Sequence, residues 1–123
     1  MRTKKFYLTM FLLVSATVLY ALFRQESMPL IFDQSDKVGH ALAFFSLSVS
    51  LLLLLKQSGW KTELTGLAII LLFAVVSEYI QGSSLLPNRQ LSVGDIYANL
   101  LGGLVGYMLV KAGSLIRALR IET

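Results

Sequence analysis

Four long apolar runs divide the chain: Phe6–Phe23, Val38–Leu55, Leu64–Ile80 and Val93–Val110, each 17 or 18 residues. At 1.5 Å per residue they sit at the short end of the ~17–25 residues that cross ~30 Å of hydrocarbon. A helix on a soluble domain carries charge every third or fourth position on its outer face. These runs do not. The pattern predicts an all-α membrane protein: a four-helix transmembrane bundle with helices about 6–23, 38–55, 64–81 and 93–110, in a single domain over residues 1–123. Polar interruptions mark the turns. Gln25-Glu26-Ser27-Met28-Pro29 ends the first run, because proline disfavours helical geometry in the residue before it. Asp33-Gln34-Ser35-Asp36 offers caps for the second helix, and Gln57-Ser58-Gly59 forms a short turn. Trp60 beside Lys61 suits the headgroup layer. Gly82 is expected as the left-handed residue that closes the third helix. Ser92-Val93-Gly94-Asp95 approaches capping-box spacing. Beyond Val110, a short basic amphipathic tail, 111–123, is expected to lie on the inner membrane surface.

Composition agrees, with 55% hydrophobic and only 15% charged residues, against roughly 25% charged in soluble chains. The absence of cysteine excludes disulfides and thiolate metal sites. Charge placement sets orientation. Arg2, Lys4, Lys5, Lys56, Lys61, Lys111, Arg117 and Arg120 fall on one side if every run crosses, leaving Arg24, Lys37 and Arg89 on the other. By the positive-inside rule both termini are cytoplasmic. The net charge of +4 then reflects topology, and no nucleic-acid partner is implied. Met1–Phe23 resembles a secretory signal, but its apolar part exceeds the ~7–15 residues of one, and no convincing small-x-small cleavage site precedes Arg24. It is expected to remain as the first helix.

The chemistry centres on Glu78-Tyr79-Ile80-Gln81-Gly82, where a carboxylate ends an apolar run. Such a group costs ~2.5–3.5 kcal/mol at a helix centre and less near the interface, so something must meet it. The second helix starts at the outer face with Asp36, Lys37 and His40, and the third ends there with Glu78 and Gln81. The fourth starts there with Asp95 and Asn99, and Arg89 lies in the joining loop. Asp36 and His40, like Asp95 and Asn99, are spaced i to i+4, and Glu78 and Gln81 are i to i+3. The stripe of the fourth helix continues through Gly102 and Gly106, with Ala98 nearby, a small-residue surface that lets a neighbouring helix approach closely. Tyr97 and Tyr107 fall elsewhere and read as lipid or interface anchors. Three acids, Asp36, Glu78 and Asp95, oppose Lys37 and Arg89. With two helix N-termini at the same level, the set has the means to hold a phosphate or carboxylate, or to neutralise itself.

The order Asp36-Lys37-x-x-His40, Glu78-x-x-Gln81, Arg89, then Asp95-x-x-x-Asn99-x-x-Gly102 with Gly106 resembles the VanZ-like family of small bacterial integral membrane proteins, over roughly Asp36–Leu109. The resemblance implies a multi-pass protein of the bacterial cytoplasmic (inner) membrane with a cell-envelope role. The family takes its name from a protein linked to resistance to the glycopeptide antibiotic teicoplanin. It implies no particular reaction.

Each residue also has a plain structural reading. Asp36 serves as an N-cap and Asp95 as a first-turn acid. Asn99 and Gln81 serve as interhelical hydrogen-bonding groups. Glu78 opposes its own helix dipole and needs a cation or proton, with Lys37 and Arg89 as partners. His40 with Glu78 and Asp95 or Asp36 is a carboxylate-rich set of the kind zinc, manganese or magnesium accept. No dense histidine motif supports it, so no metal and no cofactor is expected. Nucleophile-elbow, phosphate-loop and dinucleotide motifs are absent. Three functions remain. The first is recognition of an anionic envelope component, a lipid-linked precursor or lipid headgroup, by Asp36, Lys37, Gln81, Arg89, Asp95 and Asn99. The second is a membrane-embedded hydrolase or transferase, with His40 and Glu78 as catalytic acid and base and Lys37 and Arg89 clamping phosphate. The third is a structural subunit whose Gly102/Gly106 face docks a membrane partner or a second copy.

Overall fold

Backbone groups find no water in hydrocarbon, so a span must satisfy its own hydrogen bonds, and the helix does this within one segment. The structure, a computed structural model, describes residues 3–24, 35–56, 58–83, 85–86 and 90–122. Among them it has four helices and no strand: α1 (Lys4–Phe23), α2 (Ser35–Leu55), α3 (Trp60–Gln81) and α4 (Val93–Glu122). All four are long and apolar enough to cross a membrane. Thr3 caps α1, its hydroxyl accepting from the Phe6 amide at 3.3 Å. Gly59 enters α3 at φ 97°, a conformation that glycine adopts without strain.

Two helix ends differ from expectation. Gly82 closes α3 at φ −87°, not in the left-handed region, with its amide donating to the Glu78 carbonyl at 3.0 Å. Space, not backbone conformation, calls for glycine here: a Cβ would fall 3.0 Å from the amide nitrogen of Leu91 and 3.1 Å from its Cα. At the other end of the chain, α4 does not stop at Val110. It runs unbroken to Glu122, 30 residues or about 45 Å, so the basic tail is a continuation of the same helix. Good helix formers (Leu115, Arg117, Ala118, Leu119, Arg120) carry it on.

The helices turn their few polar side chains inward and many of their large apolar ones outward. Leu13, Leu72, Leu101 and Met108 face outward, whereas Ser48, Ser77, Glu78, Gln81 and Asn99 are among the largest fully buried side chains. A bundle in lipid shows this arrangement, since its outer surface meets hydrocarbon and its polar groups must find each other. An apolar cluster of Val18, Leu22, Phe44, Leu47, Ile70 and Ala74 fills the centre. Phe73 stacks edge-on against Phe23 and tilted against Phe44, joining α1, α2 and α3.

The tightest seam is between α2 and α4, which run parallel. A Cβ on Gly102 would strike the Ala41 carbonyl oxygen, and one on Gly106 would lie 2.9 Å from the Phe45 oxygen. Ser48 Oγ donates across the seam to the Gly103 oxygen at 2.8 Å. The Gly102/Gly106 face is therefore filled by α2 of the same chain and is not open to a docking partner. α3 runs antiparallel to both, and α1 packs mainly on α2. The α1–α2 contact leaves an apolar groove of about 370 Å³ lined by Leu13, Thr17, Gly39, Leu42 and Ala43 among others.

Gly102→Ala is expected to destabilise the chain by about 1–3 kcal/mol or more, since the clash is with backbone and only a helix displacement relieves it. Gly39 has nothing within 4 Å of its Cβ position, so Gly39→Ala is expected to be neutral or to stabilise through helix propensity. Denaturant unfolding of both variants in the same detergent checks the contrast.

Candidate functional site

The α2–α4 seam sets the first two turns of these helices side by side. Ser92 stands before α4, and its Oγ and backbone oxygen both accept from the Asp95 amide, at 3.3 and 3.1 Å. The Ser92 amide in turn donates to Glu78 Oε1 at 3.0 Å. This answers how Glu78 is tolerated at the C-terminal end of α3. Its carboxylate is received by the N-terminal end of α4, where a helix presents unpaired amides and favours negative charge.

Asn99 joins three helices. From α4, its Nδ2 donates to the Ala74 oxygen of α3 at 3.0 Å, and its Oδ1 lies 2.9 Å from His40 Nδ1 of α2. Because the amide nitrogen is committed to a carbonyl, the oxygen faces the imidazole, and His40 donates from Nδ1. The other ring nitrogen, Nε2, faces Asp95 Oδ2 at 3.5 Å. Asp95 Oδ1 lies 3.6 Å from Lys37 Nζ, which also approaches Asp36 Oδ2 at 3.7 Å.

The structure thus brings together His40, Glu78, Asp95 and Asn99. Glu78 and Asn99 are fully buried, and Asp95 and His40 are 7% and 9% exposed. One ligand atom each from His40, Glu78 and Asp95 lies within 4.8 Å of the others. Lys37 and Asp36 form a half-exposed rim above them. Lys37 pairs with Asp95 and Asp36 and not with Glu78, for which the sequence suggests Lys37 or Arg89. Gln81 is buried at the same level but turns away, its Nε2 donating to the Leu22 oxygen and tying α3 to the end of α1. Ala98 is half-buried beside the glycine seam, and Tyr97 is exposed as an anchor should be. Arg89 lies outside the described residues.

Sequence reasoning missed a second ion pair at the opposite end. Glu63, in the first turn of α3 and buried, accepts from Lys111 Nζ at 3.2 and 3.4 Å. The signal lay in the antiparallel register. Lys111 follows Asp95 by sixteen residues and Glu63 precedes Glu78 by fifteen, so each step is about 22–24 Å along its helix. Pairing α3 with α4 at one end pairs them at the other. Ser48, one of three serines (Ser46, Ser48, Ser50) in the second apolar run, was also passed over, although it stands opposite the glycine stripe.

Among known proteins, the family model described as VanZ/LLP1 matches residues 2–117, nearly the whole chain and α1 with it. No curated protein and no solved structure matches.

Lys111→Met is expected to destabilise more than Glu63→Gln. The first strands a buried carboxylate, a change that approaches the ~3–5 kcal/mol of a broken buried pair. The second leaves a lysine that reaches water along its own stem. Thermal unfolding of the two variants gives the order, and a reversed order contradicts the pairing.

Proposed function

Because the chain belongs to the VanZ/LLP1 family, we propose that it is a multi-pass protein of the bacterial cytoplasmic membrane whose polar end holds the anionic headgroup of an envelope lipid or lipid-linked precursor. The observation that carries this reading is the convergence of buried ionisable groups from three helices at one end of the bundle, beneath a half-exposed lysine. The lysines of the other end, Lys4, Lys5, Lys61 and Lys111, support an extracytoplasmic position for the site. A ligand from the outer leaflet brings its headgroup to that depth. Lys37 meets it from the rim, and the N-termini of α2 and α4 add favourable amides. The α1–α2 groove begins at Gly39, beside His40, and its apolar lining suits an acyl or prenyl chain. On this reading a glycopeptide phenotype such as teicoplanin resistance follows from sequestering a lipid-linked cell-wall precursor.

The fixed orientation of His40 between Asn99 and Asp95 favours a second reading, a membrane-embedded hydrolase or transferase acting on a lipid-linked phosphate. Phosphate release from such a substrate by the purified chain, abolished in His40→Gln with fold retained, separates it from simple binding.

Lipids retained by the chain in nanodiscs made from native membranes test the first reading. Wild type is expected to carry an anionic lipid or prenyl-linked phosphate, and Lys37→Ala several-fold less at unchanged unfolding temperature. Equal retention by both contradicts the headgroup site.

A further inference from the structure

Two carboxylates and an imidazole crowd together more closely than a headgroup rim requires. His40, Glu78 and Asp95 come from three different helices, are all buried, and offer ligand atoms within 4.8 Å of one another. In a low-dielectric interior carboxylates held this close are stabilised by positive charge, which a cation shared among them would supply. Lys37 approaches Asp95 from the Oδ1 side, at 3.6 Å and without a hydrogen bond.

The orientation of His40 is the second, independent observation. Asn99 fixes the Nδ1–H, and Asn99 is itself fixed by the Ala74 oxygen. The Nε2 edge of the ring therefore faces Asp95 Oδ2 across 3.5 Å, a distance beyond ordinary hydrogen-bond length. A nitrogen and a carboxylate oxygen at this separation are joined favourably by a shared cation, whether a proton or a metal ion. Metal-ligating histidines are held in this way, one ring nitrogen donating to a fixed acceptor and the other free to coordinate. Two ligands each ~2.0–2.2 Å from one ion stand roughly 3–3.5 Å apart, which the His40–Asp95 pair meets at 3.5 Å while the whole set lies within 4.8 Å.

We infer that His40 Nε2, Asp95 and Glu78 form a binding site for one divalent transition-metal ion, zinc or manganese. The donor set selects the class. An imidazole disfavours calcium and magnesium, which take oxygen ligands, and the lack of thiolates disfavours copper(I). Three protein ligands leave a coordination position open, on the side of the half-exposed Lys37. An anionic oxygen entering there would be recognised by metal and ammonium together. Metal occupancy does not depend on the headgroup reading, because the ion is measured with no lipid ligand added. Asn99 is a positioning residue, acting through the ring it orients.

The full chain, purified through a tag without histidine, is loaded with Mn2+ in detergent and examined by pulsed EPR. His40 is the sole histidine, so coupling of the bound ion to one imidazole nitrogen assigns the site in wild type, without any variant. One equivalent of Mn2+ or Zn2+ with that coupling is the expected result. Asn99→Ala is expected to weaken the affinity about 10–100-fold, and Asp95→Asn to abolish it. Failure to retain either ion, binding without nitrogen coupling, or equally tight Mg2+ binding each overturns the metal site. Metal retained in detergent by a chain that carries no anionic lipid when taken up in nanodiscs from native membranes overturns the headgroup reading alone.

Discussion

The carbonyl of Ala41 stands where a side chain on Gly102 would be, and that of Phe45 does the same above Gly106 one turn later. In lipid there is no hydrophobic gain from bringing two apolar helices together, so close backbone packing and interhelical hydrogen bonds must hold them. The α2–α4 seam supplies both, with Ser48 bonded to the Gly103 oxygen along the same line. Parallel helices locked at one level are locked at every level. The seam therefore decides that the Lys37 stem crosses Gly94, that His40 meets Asn99 and that Asp95 lies beside both. α3 then enters antiparallel and contributes the Ala74 oxygen and Glu78.

Given that packing, the buried charges follow a simple electrostatic logic. Glu78 sits at the wrong end of its own helix dipole, and the neighbouring helix start receives it through the Ser92 amide. Glu63 sits at the favourable end of the same helix and still recruits Lys111, because a buried carboxylate is costly without a partner. The two layers lie roughly 22–24 Å apart, near the two edges of a hydrocarbon core of ~30 Å. Between them the interior is held by aromatic contacts and single hydroxyls. The bundle is thus pinned at both ends and apolar in the middle.

Much of this was legible in the sequence because lipid removes alternatives. Uninterrupted apolar runs fix the number of helices, and their directions bring Asp36, Lys37, His40, Glu78, Asp95 and Asn99 to one end. The small-residue stripe at Gly102 and Gly106 marks a close contact, but spacing on one helix does not name the helix opposite. Docking by a partner was accordingly as readable as packing by α2. Pairings inside the cluster were less accessible still. That Lys37 prefers Asp95 and Asp36, that Ser92 caps Glu78, and that Gln81 turns to Leu22 all depend on rotation of each helix about its axis, which periodicity gives only coarsely. Glu63 was passed over because a charge at the edge of a run reads as solvated until its antiparallel neighbour is known. The helical tail after Val110 reflects local propensity that an amphipathic reading did not weigh.

At one end of the bundle, then, a single imidazole is held between a carboxamide and a carboxylate from another helix, and the functional readings rest on that contact. Magic-angle-spinning NMR of the wild-type chain in lipid bilayers, with 15N-labelled histidine and 13C-labelled Asp and Asn, measures it directly, because the chain has one histidine. Short-range dipolar coupling is predicted from Nδ1 to an Asn side-chain carbonyl carbon and from Nε2 to an Asp carboxylate carbon. An imidazole with neither coupling would place His40 away from Asn99 and Asp95 and contradict the α2–α4 packing from which the site is built.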